Sequence, residues 1–165
     1  MERNNNKIIS YFLKVFGLML LLVYFSGCRQ TSNQKVDEFY TQKGEWDSAR
    51  IPFIKPYEAI IFNKLDGWGM NIIEDSMLTD IKEATVDNGF ILVHTGKTVM
   101  LGVEVNESWW IISPSNKIEK GFTDYRQYLA YLKKVGFKNE PKLHAMNIIA
   151  NYYDDHDTMD WNVLD

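Results

Sequence analysis

The sequence has a single cysteine, Cys28, so no intramolecular disulfide can form. A domain built this way stands on its hydrophobic core alone. Histidine is scarce as well: His94, His144 and His156 are the only three, and no HExxH, CxxC or HxH spacing occurs. No metal centre and no cofactor is expected from such a set. The GxSxG elbow is missing. Ser113-Pro114-Ser115 follows a strand-like run but has no assignable base, so Ser113 reads as a strand-to-loop residue. Gly67-Trp68-Gly69 is too short for a phosphate loop and precedes a strand rather than a helix. No catalytic constellation is present. Lys/Arg clusters are also absent, which argues against nucleic acid, whose affinity comes largely from phosphate neutralisation.

Uncharged residues run from Val15 to Phe25, eleven in all, behind Arg3, Lys7 and Lys14. Such a run spans about 16 Å as a helix, well short of the roughly 30 Å hydrocarbon core of a bilayer. A basic flank, a short apolar region and the small residues Ser26 and Gly27 make a secretory signal peptide. With Cys28 immediately following, the segment resembles the lipobox of bacterial lipoproteins. Phe25 stands where that family usually has leucine. The resemblance covers the first 28 residues and implies cleavage before Cys28 and acylation of its thiol and freed amine. One acyl chain anchors only marginally, and two or three make attachment lasting. Arg29–Gln34 carries no acidic sorting signal, so the resemblance implies the outer membrane with the domain facing the periplasm. The membrane is then a partner through the lipid alone.

Residues 1–27 hold three basic residues and one acidic, so the remaining 138 carry 15 basic and 21 acidic residues, net −6. That length suits one domain burying about two-thirds of its unfolded surface. The expected organisation is a signal peptide over 1–27, a lipidated and flexible tether over 28–45, one domain over 46–153 and an acidic tail over 154–165. The tail is mobile unless Trp161 docks it. Asp154, Asp155, Asp157 and Asp160 do not make a calcium loop, because no glutamate follows residue 140.

Within the domain, Trp46–Tyr57 has prolines at 52 and 56 and reads as an extended arm. Strands are expected over Glu58–Phe62, Met70–Ile73, Phe90–His94, Thr98–Val105 and Trp109–Ile112, separated by turns at Asp66–Gly69, Asp87–Gly89, Thr95–Lys97 and Asn106–Ser108. Ser76–Ala84 is ambiguous. Phe122, Tyr125, Leu129 and Leu132 share a helical face, with Thr123 as N-cap and Gly136 as the residue past the C-terminus. A second helix is expected from Pro141 to Tyr153. The fold class is therefore α+β, an antiparallel meander of about five strands followed by two helices packed on one face.

Phe90–Val93 and Trp109–Ile112 are apolar at every position, although successive strand residues point to opposite faces. The face away from the helices needs a cover, either the Trp46–Tyr57 arm or a long loop, unless part of it is a binding surface. Trp68, Trp109, Trp110 and Trp161 are the candidate binding residues, as interface anchors or sugar-stacking platforms. A small, acidic, anchored domain without catalytic residues is similar in size, charge and location to immunity proteins, which neutralise a toxin. A glycan- or envelope-binding lipoprotein is the alternative, and a hydrolase with a dispersed site near His94 a third.

Overall fold

The computed structural model describes residues 37–44, 48–62, 67–72 and 77–164. The signal peptide, Cys28 and Trp46 lie outside these. No helix among the described residues is long and apolar enough to cross a membrane.

The architecture is α+β, as expected. β1 (Ser48–Pro52), β2 (Glu58–Phe62), β3 (Trp68–Asn71), β4 (Met77–Asp87) and β5 (Phe90–Thr95) form an antiparallel meander. The sheet continues through β8 (Ser108–Ser113) and β9 (Ile118–Phe122). Between β5 and β8, β6 (Thr98–Met100) and β7 (Val103–Val105) pair with each other in a separate hairpin. Helix α1 (Tyr125–Lys134) follows β9. The short β10 (His144–Ala145) pairs with β4 and leads into α2 (Met146–Asp155).

Several boundaries differ from expectation. Of the arm expected over Trp46–Tyr57, Ser48–Pro52 pairs with β2 and joins the sheet rather than lying over it, while Phe53 and Tyr57 are buried in the core cluster that includes α2. Trp68 belongs to β3 rather than to a turn. The ambiguous Ser76–Ala84 region falls largely in β4, because β4 finds partners in β3, β5 and β10 at once. The single strand expected over Thr98–Val105 breaks at Leu101 and Gly102, both at positive φ. The β4–β5 turn is as read, with Asn88 and Gly89 both at positive φ, the requirement of a two-residue hairpin turn.

α1 is capped by Asp124, whose carboxylate accepts from the Gln127 amide at 3.0 Å, and not by Thr123. Its far end closes as expected. Gly136 takes φ 107°, its amide donates to Lys133, and the Phe137 amide donates to Leu132 at 3.1 Å. Phe137 then packs edge-on against Phe90. α2 starts five residues later than expected, because His144 and Ala145 pair with Ala84 and Glu83 first.

The two helices do not share a face. Ile91, Val93, Trp110 and Ile112 sit in one core cluster with Met146, Ile149 and Tyr153 of α2. Phe90, Leu92 and Ile111 sit in another with Tyr128 and Leu132 of α1. Strand alternation explains the uniform apolar runs: every second residue feeds a different core. Cross-strand register keeps the division, with Ile91 opposite Ile112 and Leu92 opposite Ile111.

Both ends of the described chain are docked. The tether expected over 28–45 is held where it is described. Tyr153 donates its hydroxyl to the carbonyls of Tyr40 and Gln42, each at 3.1 Å, and Arg50 reaches the carbonyls of Phe39 and Gln42, each at 2.7 Å. In the acidic tail, Met159 and Leu164 are buried, and Trp161 stacks on Phe53 at 5.0 Å. Trp161 thus fixes the tail.

Candidate functional site

Polar and aromatic side chains meet on the α1 side of the sheet. The register sets Glu83 of β4 opposite His94 of β5, His94 opposite Trp109 of β8, and Trp109 opposite Phe122 of β9. One row of side chains thus crosses four strands on one face. The neighbouring residues on these strands feed the opposite core, so the row is placed by the same alternation that divides the helices.

Over this row lies a cleft of about 540 Å³, lined by Glu83, His94, Trp109, Tyr125, Glu140 and the Pro141–Leu143 segment. Tyr125 opens α1, and Glu140 stands just before the stretch leading to β10. The Tyr125 hydroxyl donates to Glu140, closing one wall. That bond, then burial and the Glu140 charge, push the Tyr125 pKa up to about 12. Beneath it, burial drives Tyr128 well above the ordinary tyrosine range.

His94 is fixed from three directions. Its Nδ1 lies 3.1 Å from Glu83 and its Nε2 2.8 Å from Glu107. Its ring stacks on Trp109, with centroids 5.2 Å apart and planes 5° from parallel. Both carboxylate contacts are hydrogen bonds together only when both ring nitrogens carry protons. Trp109 in turn touches Tyr125 at 5.1 Å. The result is a cleft with aromatic walls and two glutamates, Glu83 and Glu140, at its surface, and with Glu107 holding the histidine. Among the described residues, no serine, threonine or cysteine lines it. The two carboxylates can accept hydrogen bonds from a cationic group, beside Lys142, which also lines the cleft.

Of the four candidate tryptophans, only Trp109 reaches this cleft. Trp110 is buried in the opposite core, and its Nε1 donates to Ser108 at 2.8 Å. Trp68 packs half-buried against that same core, and Trp161 lies on Phe53. Ser113 stands apart, donating to the Gly89 carbonyl at 3.2 Å. It is four residues along β8 from Trp109, about 13 Å at strand spacing, so it does not meet His94. His156 stacks on Tyr152, and His144 is buried in β10. Among the described residues, no group of three or more His, Cys, Asp or Glu side chains is placed to hold a metal ion.

The sequence reading missed Glu83, Glu107, Tyr125 and Glu140 as site residues. The available signal was His94 closing an otherwise apolar strand. No known protein family, curated protein or solved structure matches the chain.

Proposed function

We propose that the chain is a lipid-anchored, periplasm-facing binding domain of the immunity type, which blocks a basic toxin through the His94 cleft. The cleft carries this reading: Glu83 and Glu140 flank Trp109 and Tyr125 in a concavity open to solvent. An acidic surface speeds encounter with a basic partner, and desolvated charge pairs then set the off-rate. The net −6 of residues 28–165 supports the same polarity. The lipobox-like segment ending at Cys28 supports the outer-membrane location.

The glycan-binding alternative draws less support. Sugar stacking needs an open ring face, and Trp109 is engaged by both His94 and Tyr125. Trp110 and Trp161 are occupied within the fold.

The test is co-expression with the products of the two adjacent genes, followed by calorimetry on any complex recovered. Glu83→Gln with Glu140→Gln keeps the shape of the cleft and removes two charges. The expected loss is about 10- to 100-fold in affinity, with unfolding unchanged to within about 1 kcal/mol. A complex indifferent to both substitutions, or no complex with either product, refutes the proposal.

A further inference from the structure

The β6–β7 hairpin carries exposed apolar residues. Leu101 is 80 % exposed, Val103 64 % and Val99 42 %. These are three of the seven exposed large apolar residues among those described, gathered within five positions. A side-chain carbon added at Gly102, the turn glycine, meets nothing within 4 Å, so that position faces open space.

The root of the hairpin is fixed. Thr98 is buried and accepts from the Thr79 amide at 3.0 Å. Met100 and Leu101 line a groove of about 240 Å³ with Ile72, Trp110 and Gly121. Lys97 and Glu104 pair across the base at 3.0 Å. The projection is therefore held at a set angle rather than left loose.

Register decides between occupants. Val99 faces Glu104 and Met100 faces Val103, so Val99 and Val103 lie on opposite faces of the ribbon, with Leu101 at its end. A folded partner covers one side of a ribbon. Apolar groups on both sides and at the end suit a medium that surrounds them. Two strands of three residues extend about 10 Å, close to the roughly 5–10 Å to which apolar faces enter the headgroup boundary of a bilayer.

Contacts also run from the point where the chain joins the domain to the groove at the root of this hairpin. Asp37 pairs with Lys55 at 2.9 Å, and Tyr57 of the same turn donates to Glu119. Glu119 lines the groove beside Leu101. We infer that the β6–β7 tip enters the interfacial layer of the bilayer that holds the chain, fixing how the domain stands on the membrane. The inference rests on the lipid anchoring proposed above.

The experiment uses the full chain, expressed with its own leader and reconstituted in phosphatidylethanolamine–phosphatidylglycerol vesicles. Leu101→Cys receives a nitroxide, and Ala130→Cys on exposed α1 is the aqueous reference. Accessibility to oxygen is compared with accessibility to a water-soluble nickel chelate. The expected oxygen-to-nickel ratio is several-fold higher at 101 than at 130, and Val103→Cys repeats the result from the second strand. Equal, aqueous ratios at 101, 103 and 130 on vesicles that carry the protein overturn the inference and leave the anchor standing. Labelling of Cys28, with the protein left in solution, overturns the anchor and the inference together.

Discussion

Arg50 holds the N-terminal side of the domain in place, and its removal has a calculable effect. Its Nε donates to Glu58, its Nη1 reaches the carbonyls of Phe39 and Gln42, and the guanidinium lies 4.5 Å from the Phe39 ring centre. The side chain is only 10 % exposed. Arg50→Met keeps most of the apolar stem and deletes the three hydrogen bonds and the ring contact. Hydrogen bonds to charged groups are each worth about 1.5–3 kcal/mol. Glu58 is partly exposed, and the Gln42 carbonyl can recover water, so the sum is discounted to about 3 kcal/mol. At the ordered size of this domain, that lowers Tm by about 10 °C.

The effect has a location as well as a size. Tyr153 donates to Tyr40 and Gln42, so Gln42 takes bonds from both side chains. Tyr153→Phe alone removes a hydroxyl and keeps the buried ring, at a cost of about 1 kcal/mol. In an Arg50→Met background the segment is already released, so the second substitution costs less. The double-mutant cycle should show coupling of about 0.5–1 kcal/mol. Hydrogen exchange read by mass spectrometry should show amides 37–44 losing protection while β5 and β8 keep theirs relative to global stability. An Arg50→Met protein with unchanged protection over 37–44, or one destabilised by less than about 1 kcal/mol, refutes the reasoning.

Two further outcomes are expected. Gly121→Ala places a methyl 2.7 Å from Trp110 Cζ2 and 2.8 Å from Met100 Sδ. Trp110 is pinned to Ser108, so the strain falls on Met100, and urea melts should show a loss of about 1–3 kcal/mol, partly restored by Met100→Ala. A neutral Gly121→Ala rules out that packing. The raised Tyr125 pKa has a defined sign. The folded state keeps this proton to about pH 12, while an unfolded tyrosine loses it near pH 10. Any stability it confers is therefore complete below about pH 10 and is lost as pH climbs through about 12. Tyrosinate absorbance should show one late-titrating tyrosine returning toward the ordinary range in Glu140→Gln. An unchanged titration curve in that variant dismisses the contact.

What the sequence revealed was local, and what it withheld was non-local. The turn at Asn88-Gly89 and the glycine end of α1 rest on backbone conformations that particular residues require, and both are found. The extent of β4 was hidden because its pattern is broken by a register shift between Ile81 and Glu83, and partners on both edges set its length. The sides taken by the helices were hidden for a related reason. A strand apolar at every position demands two covers but does not name them, and residues 138–145 carry the chain around the sheet before α2 begins. The docking of segment 37–44 depends on Arg50, on the neighbouring strand, and on Tyr153, far away in sequence, so its polar composition read as a tether.

The same two-sided burial moves function away from the tryptophans. A chain with five tryptophans in one small domain invites a reading in which some rings await a ligand. With a cover on each face of the sheet, Trp110 becomes core, and Trp109 is left at the margin of α1, where the helix starts too late to roof it. That margin is where Glu83 and His94 emerge on the α1 face, one row beyond the last fully apolar pair, Leu92 and Ile111. Glutamates are tolerated there because water reaches them. Glu83 faces an aromatic wall because the row it belongs to ends in Trp109 and Phe122, and Glu140 meets that wall at Tyr125 from the segment after α1. Charge beside rings is thus a product of the register at the end of a covered sheet. On the proposed reading, recognition at this site depends on Glu83 and Glu140, with Trp109 serving as the surface that holds His94 in line.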